Sequence, residues 1–453
     1  MKRVLSFGFA VLAATAGFAA TTVSNVTLTP NAAGNFVTIK YALSGDSAII
    51  TLDVQTNGVS VGGKCLYRTG GDVNRVVTAG DGDRTIWWRP SADCDVTGEN
   101  VRAVIHTWTL DNPPDYTAFE LTGTKARRFY TSEDALPYGI GSDVYRTGWL
   151  LMRRVPATGK TFFAGSAPTE PMRDPISRED AHPVYMTKDY WLGVFEITQG
   201  QWDFVCPPNI IAHNSYYTNA LCAATRPVDR VWCRILRGLN STLTYGFSQY
   251  LSQAVGNNSQ NLGQCFDLPN EAQWEFACRA GSSTSLPGGR WLEAHGGTGT
   301  AMLGIADANL GELARYEANG GRVYPPEMTL PVAPASAAGT IPGREADATV
   351  GTARVGSYKP NAYGFYDMLG NVAEVTSEKF VQYLGNAAVS EIGLESSKIP
   401  TADETPVVVK GGFFKDMTYY CRAACRLGPR TAPVTQPDDA FGYGVRMMLP
   451  IGK

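Results

Sequence analysis

The chain has 453 residues, and its 39 lysines and arginines nearly balance 42 aspartates and glutamates, which leaves a formal net charge of −3 at pH 7. No basic run breaks this balance, so the composition argues against binding of nucleic acid through a basic surface. The 48 glycines, 27 prolines and charged fraction of only 18% favour a loop-rich β or α+β protein, and the length favours two or three domains.

Residues 1–20 have the pattern of a secretory signal peptide. Lys2 and Arg3 precede a short apolar run, and small residues follow it as far as Ala20. A membrane helix is the alternative, but the apolar run is shorter than the roughly 20 residues that a membrane span needs. We therefore expect an exported protein that is secreted, periplasmic or attached to the cell surface, without a membrane span.

Residues 21–122 predict a β-sandwich-like domain. The run NFVTIKYALSG alternates apolar and polar side chains, and several further short strands follow between turns rich in Gly, Asn and Asp. Cys65 and Cys94 are the two cysteines of this region, and an exported chain permits a disulfide between them. The polar, aperiodic residues 123–145 predict a linker to a second domain at residues 146–453.

The sequence predicts two helix starts in the second domain. Thr198 and Asn270 are suited to cap a helix, and each is followed three residues later by a glutamine, Gln201 and Gln273. This spacing is typical of a capping box, in which each residue of the pair satisfies a free backbone N–H of the first turn.

Glu271 and Glu275 stand one helical turn apart after the second helix start. They are either an acid/base pair or carboxylates that the helix dipole favours, and we prefer the second interpretation. Trp202 and Trp274 lie on the same two helices, where a role as core anchors is more common than ligand contact.

Six motifs then occur in order, namely YWLGVFEITQGQW, RPVDRVWC, FDLPNEAQWEFACRAG, YKPNAYGFYDMLGNVAEV, KGGFF and GYGVRMML. Together they resemble the sulfatase-modifying-factor family, whose founding member is the formylglycine-generating enzyme, over about residues 146–450. The resemblance implies an α+β fold in which a variant of the C-type-lectin fold follows the N-terminal all-β domain. It also implies a reaction, the oxidation of a protein cysteine to formylglycine with molecular oxygen and copper.

The family's copper site has two glycines, a serine, an aromatic residue, one further residue, and two cysteines separated by four residues. Counted from Gly411 and Gly412, the serine position holds Phe413, the first cysteine position holds Asp416, and the second holds Cys421. Asp416 and Cys421 are therefore the candidate catalytic positions. Copper(I) prefers soft thiolates to hard carboxylate oxygens, so this pair predicts an incomplete copper site.

A second register is possible for this segment. Matched from the downstream run CRAACR, Cys421 falls on a position without a catalytic role, and the thiol pair is absent in that register too. Cys425 follows Cys421 after three residues rather than four. The two thiols are either a metal pair or structural residues with a distant or mutual bridge, and an exported protein favours the structural interpretation.

The resemblance also implies two structural calcium sites. In the first, two carboxylates and two backbone carbonyls come from Asp367, Gly370, Val372 and Glu374, which suits a hard cation that takes six or more oxygen ligands. A tight turn capped by the two carboxylates is the alternative.

The second calcium site matches Asp347 and Thr349, and its asparagine partner falls on Asn319 with Gly320. An ordinary surface loop is the alternative for these four residues.

Two functions compete on this basis. One is an exported oxidase of the formylglycine-generating type, which Asp416 and Phe413 oppose. The other is a non-catalytic, calcium-stabilised module of the same C-type-lectin variant, which binds a glycan, a peptide or a protein partner. Tyr419 and Tyr420 are expected to be exposed on such a binding surface.

Overall fold

The computed structural model describes most of the chain after residue 20. The described residues are 21–31, 35–90, 94, 100–173, 179–206, 211, 213, 215, 223–231, 233–238, 245–256, 264–293, 305–319, 351–380, 389–390, 407–427 and 442–452. The signal peptide predicted at residues 1–20 lies outside the described residues and stays a prediction.

Eight described strands lie before residue 110. They are β1 (Thr22–Pro30), β2 (Val37–Ser44), β3 (Ala48–Thr56), β4 (Val59–Ser60), β5 (Thr69–Gly71), β6 (Arg75–Val77), β7 (Asp83–Trp88) and β8 (Val101–Trp108). One antiparallel sheet has the order β1-β2-β7-β5, and in another β3 pairs with β4, β6 and β8. Ile39, Ile86 and Trp88 of the first sheet share one buried cluster with Ile50 and Val54 of the second.

Alternation of side chains explains how β2 builds this core. Ile39 and Tyr41 are fully buried, whereas Thr38 and Lys40 lie on the outer face of the sheet. Successive side chains of a strand point to opposite faces, so an apolar residue at every second position covers one face.

A disulfide joins Cys65 to Cys94, as predicted, with 5.6 Å between the two Cα atoms. The indole N–H of Trp88 donates a hydrogen bond of 2.9 Å to the carbonyl of Cys65. This hydrogen bond connects the disulfide to the buried cluster.

The next strands lie on both sides of the predicted boundary at residue 122, and one of them lies within the predicted linker at residues 123–145. The strand β9 (Tyr116–Glu120) pairs with β10 (Arg127–Tyr130) and also with β11 (Trp149–Val155), so the presumed linker contains part of a sheet.

The burial of an arginine, Arg127, explains why β10 was not predicted from the sequence. The guanidinium of Arg127 lies 4.9 Å from the ring centre of Phe119 and 4.6 Å from that of Phe129, so a residue that looks exposed is part of the interior. Phe129 also shares a buried cluster with Ile49 of β3, which joins this sheet to the first part of the chain.

The other described strands and helices are short. The strands are β12 (Thr161–Ala164), β13 (His182–Tyr185), β14 (Tyr190–Gly193), β15 (Ala373–Lys379), β16 (Val389–Ser390), β17 (Val407–Lys410), β18 (Tyr443–Gly444) and β19 (Met448–Pro450). The α-helices are α1 (Gln199–Val205), α2 (Cys233–Arg237), α3 (Phe247–Gly256), α4 (Glu271–Arg279) and α5 (Ala308–Gly311). Single 3₁₀ turns are Gly63–Leu66, Glu133–Ala135, Asp143–Arg146, Ala223–Thr225, Glu317–Asn319 and Thr418–Tyr420.

Strands β9 to β19 form three sheets, with the orders β10-β9-β11-β14-β19, β12-β13-β16 and β17-β15-β18. The described chain is therefore a mixed, sheet-rich fold with few helices. No helix among the described residues is both long and apolar enough to cross a bilayer.

Both predicted capping boxes are confirmed. Thr198 and Gln201 exchange hydrogen bonds of 3.1 Å at the start of α1. Asn270 and Gln273 do the same at the start of α4, at 2.8 and 3.0 Å.

The two helix tryptophans are core anchors, as expected. Trp202 is fully buried and stacks on Phe247 of α3 with 4.3 Å between ring centres. Trp274 is also fully buried. These contacts hold α1 and α4 against the interior.

Candidate functional site

Two segments singled out by the sequence lie side by side. The acidic loop, residues 367–374, leads into β15, and the double-glycine loop, residues 411–425, follows β17. β15 and β17 are antiparallel neighbours, and the N–H of Gly370 donates a hydrogen bond of 2.9 Å to the carbonyl of Gly411. The structure therefore brings the predicted calcium and copper positions to one place.

Both glycines are required by the backbone at the start of the double-glycine loop. Gly411 has φ +88° and Gly412 has φ +69°, which side chains disfavour. A Cβ atom on Gly411 would lie 2.9 Å from the carbonyl oxygen of Met368, and one on Gly412 would lie 2.8 Å from Sγ of Cys421. The close packing of Gly412 also places the Cys421 thiol beneath the loop.

Asp416, at the first copper position, closes a turn. Its carboxylate accepts a hydrogen bond of 3.0 Å from the N–H of Phe413, and its own N–H donates to the carbonyl of Phe413 at 2.8 Å. The carbonyl of Asp416 accepts a further bond of 3.1 Å from the N–H of Glu317. Asp416 thus has structural hydrogen bonds at the place where the family has a thiol.

Cys421, at the second copper position, is fully buried. Burial raises the pKa of its thiol well above the usual value, and the nearby Asp416, Cys425 and Glu317 raise it further. Burial also raises the pKa of Cys425 to about 12. Both thiols are protonated at neutral pH, and no disulfide joins them to each other or to another described cysteine.

The aromatic pair expected on the surface is half-buried. Tyr419 and Tyr420 lie with 4.0 Å between ring centres, in the 3₁₀ turn just before Cys421. Phe413 is also half-buried and belongs to the periphery of the main apolar cluster.

Glu374, a predicted calcium ligand, already has a cationic partner. Arg446 donates to its two oxygens from Nη2 at 2.7 Å and from Nε at 3.0 and 3.1 Å, and the indole of Trp274 adds a bond of 2.6 Å. All three side chains are buried. Because both oxygens of Glu374 are occupied, this carboxylate does not fit the role of a calcium ligand.

Asp367 fits that role better. Its Oδ2 accepts a hydrogen bond of 2.5 Å from the N–H of Gly356, whereas its Oδ1 is buried without a hydrogen-bond partner. Burial raises the pKa of Asp367 to about 6, although Gly356 and two arginines, Arg446 and Arg146, lower it. An orphaned carboxylate oxygen at this position is what a missing cation would leave.

The backbone of the acidic loop is held by a carboxylate that the sequence did not single out. Glu196 accepts from the N–H of Val372 at 3.1 Å and from the side-chain amide of Asn371 at 2.6 Å. Burial raises the pKa of Glu196 well above its usual value, with contributions from Asp367 and Glu374. No group of three or more His, Cys, Asp or Glu side chains in the described ranges is arranged to hold a metal.

The second predicted calcium site is described only at Asn319, because Asp347, Thr349 and Gly320 lie outside the described residues. The side-chain oxygen of Asn319 accepts from the N–H of Tyr316 at 2.8 Å, and its amide donates to the carbonyl of Ala314 at 2.7 Å. These bonds close a local turn, so they oppose a role for this side chain as a ligand.

A buried ion cluster lies behind the double-glycine loop. Nζ of Lys410 is 2.9 Å from Glu275 and 3.6 Å from Glu271, while Arg279 pairs with Glu275 at 2.8 Å and Arg426 with Glu271 at 2.5 Å. Burial alone would raise the pKa of Glu275, but Lys410 and Arg279 lower it to about 2. Both glutamates are buried ion-pair partners, a role that neither the acid/base pair nor the helix-dipole interpretation had predicted.

The sequence contains one signal for these residues. Glu196, Lys410 and Arg446 are single charged residues inside the apolar runs YWLGVFEIT, VVVK and GVRMML. A charge inside a buried strand requires a buried partner, and that requirement marks all three as members of ion pairs or hydrogen-bond networks.

Comparison with known proteins gives a family and a set of similar structures. Residues 157–448, more than half of the chain, match the model of the sulfatase-modifying factor enzyme 1-like domain. No curated protein matches, whereas 38 chains of solved structures do.

Three of these structures have low sequence identity. Treponema denticola variable protein 1 is 19% identical, with a TM-score of 0.42, and the match covers 67% of this chain and 95% of that one. PvdO from Pseudomonas aeruginosa is 19% identical, with a TM-score of 0.44 and the same coverage. CarF is 14% identical, with a TM-score of 0.36, and the match covers 66% of this chain and 98% of that one.

The family match agrees with the order of the six sequence motifs and spans both the acidic loop and the double-glycine loop. This chain belongs to the sulfatase-modifying factor enzyme 1-like family.

Proposed function

We propose that the protein is exported and that its family domain is a non-catalytic binding module for a glycan, a peptide or a protein partner. In this proposal the module has the C-type-lectin variant fold that the resemblance implies, and it follows an all-β, sandwich-like domain. The Cys65–Cys94 disulfide supports export, because disulfides persist in oxidising compartments.

This proposal depends on one observation, namely the contacts and burial of the two residues at the predicted copper positions. Asp416 is a hard ligand engaged in a turn with Phe413, and Cys421 is buried with a protonated thiol. Cys421 is the only thiol of this pair, and Asp416 disfavours the negative charge that its thiolate form carries. Copper(I) affinity should therefore be lower than in the family's oxidases by orders of magnitude.

The proposal predicts no turnover of the family reaction. Purified protein, copper(I), oxygen, a reductant and a sulfatase-derived peptide would be incubated, and formylglycine would be measured by mass spectrometry. We expect unmodified peptide from the natural protein. Gain of turnover in the double variant Asp416→Cys, Phe413→Ser would support a lapsed site. Turnover by the natural protein that disappears in Cys421→Ser would refute the proposal and indicate a different ligand set.

We also propose that a structural calcium ion binds at the acidic loop. The orphaned Oδ1 of Asp367 supports it, and the carbonyls of Gly370 and Val372 are the further ligands that the resemblance implies. A bound cation would offset the buried charge of Asp367, which otherwise costs stability.

Chelation should therefore lower the melting temperature of the natural protein. The same treatment should leave Asp367→Asn unchanged, because this variant has no charge that needs a cation. Differential scanning calorimetry in excess calcium and in excess chelator measures both. Superimposable melting curves of the natural protein in the two buffers would rule out a stabilising calcium ion.

A further inference from the structure

An exposed tryptophan lies on the outer face of the first sheet. Trp87 of β7 is 40% exposed, whereas its neighbour Trp88 is buried in the core. Across the sheet, Trp87 stands opposite Thr38 of β2 and Gly70 of β5. A Cβ atom on Gly70 would collide with the indole, so the ring covers the glycine and rests on the sheet. The glycine thus creates a supported aromatic platform that is open to solvent.

Two arginines lie next to this platform. Arg89 follows Trp87 by two residues and shares its face, and its N–H donates a bond of 3.0 Å to the carbonyl of Arg68, the residue before β5. Both arginines are exposed. The guanidinium of Arg89 is 5.5 Å from the ring centre of Phe36, and that of Arg68 is 5.0 Å from the ring centre of Tyr67. Cation–π contacts of this kind hold each guanidinium over a neighbouring aromatic ring.

The charge of this surface is uncompensated within the described part of the chain. Neither Arg68 nor Arg89 has a carboxylate partner there. Asp83, at the other end of β7, already faces Lys40 at 3.7 Å, with both side chains more than half exposed. Among the described residues, the end of the sheet that carries Trp87 therefore combines an aromatic centre with two arginines that have no carboxylate partner there.

We propose that this surface, formed by Trp87, Arg68, Arg89, Tyr67 and Phe36, binds an anionic saccharide, meaning pyranose units that carry carboxylate or sulfate groups. The C–H face of a pyranose ring packs on an aromatic ring, and an acidic substituent accepts paired hydrogen bonds from a guanidinium. Single exposed apolar side chains need no explanation, but an indole that packs on a glycine next to two arginines combines stacking with charge recognition.

A single-stranded nucleic acid also combines stacking with negative charge. The surface has two arginines, and the sequence has no basic run that would continue the contact along a phosphate backbone, so an acidic saccharide is the better match. The surface lies outside the family domain, and the inference does not depend on the proposed function of that domain.

The test is a titration of the purified full-length protein by calorimetry and affinity electrophoresis at low ionic strength. Polygalacturonate supplies carboxylates and dextran sulfate supplies sulfates, while fully methyl-esterified pectin and dextran are their uncharged counterparts. We expect at least one acidic polymer to bind at least about tenfold more tightly than its counterpart, and added salt to weaken the binding. Failure of both acidic polymers to bind, or equal affinity for the uncharged ones, would overturn the proposal.

Variants assign the binding to this surface. Trp87→Ala should lower the affinity about tenfold or more, and Arg68→Gln with Arg89→Gln should remove the preference for the acidic polymer. Trp291→Ala, which removes an exposed tryptophan elsewhere, and Lys40→Gln are the matched controls and should bind normally. Natural affinity in Trp87→Ala, or tighter binding of oligothymidylate than of either acidic polymer, would contradict the assignment.

Discussion

Arg446→Met should prevent stable folding of the family domain. Arg446 is fully buried and pairs with both oxygens of Glu374, and it also donates to the carbonyls of Gly193, Val194 and Tyr366 at 2.7 to 2.9 Å. Removing one partner of a buried ion pair costs about 3–5 kcal/mol, and each buried group left unsatisfied adds about 1–3 kcal/mol. The sum is comparable with the whole stability of an ordinary domain, about 5–15 kcal/mol.

The measurement is the yield of soluble protein together with chemical denaturation of whatever folds. Arg290→Met is the matched control, because Arg290 pairs with Glu312 at 2.5 Å on the surface, with both side chains about one third exposed. The control should cost less than about 1 kcal/mol. Equal stability of the two variants would show that the buried pair does not hold the acidic loop in place.

Glu275→Gln should destabilise the protein by about 3–5 kcal/mol, because the variant leaves Lys410 buried without its closest carboxylate. Nζ of Lys410 is 2.9 Å from Glu275, and Lys410 is fully buried. Glu271, at 3.6 Å, is already paired with Arg426, so it offers only partial compensation. Urea denaturation measures the change, with Glu312→Gln as the surface control.

The same pair predicts a pH dependence. The pKa of Glu275 is lowered to about 2 in the folded protein, below its unfolded value of about 4.3. Stability from this group is therefore fully present above pH of about 4.3 and is lost as the pH falls toward 2. The natural protein should lose stability more steeply than Glu275→Gln in this interval. Parallel curves for both proteins would mean that folding does not lower the pKa of Glu275.

Local features of the fold were predictable from the sequence. The capping boxes at Thr198 and Asn270 depend on residues three apart, and both helices begin where this spacing predicts. The alternation in β2 is also local, and it identifies Ile39 and Tyr41 as core residues. Neither prediction requires knowledge of a distant partner.

Features that depend on distant partners were not predictable in the same way. Lys410 and Glu275 are 135 residues apart in the chain, and Arg446 and Glu374 are 72 apart. Glu374 was therefore assigned to calcium on the basis of its neighbours in sequence, although an arginine from the last strands occupies it. The strand β10 was missed for a related reason, because burial of Arg127 depends on aromatic rings from two strands.

The contacts of the candidate site residues were not predictable from the sequence. The resemblance assigned Asp416 and Cys421 to the copper positions, and the structure brings their loop against the acidic loop, which the sequence did not predict. Sequence alone did not reveal that the carboxylate of Asp416 closes a turn on Phe413 or that Cys421 lies beneath Gly412. Those two contacts support the proposed binding module over an oxidase.

Copper(I) uptake tests the central claim most directly. Protein and Cys421→Ser would be titrated anaerobically against a chromogenic copper(I) chelator, and the copper withdrawn by each would be read from the loss of colour. The account predicts equal uptake, because Cys421 is buried and has no second thiolate at Asp416. One equivalent of copper(I) bound by the natural protein and lost in Cys421→Ser would contradict it.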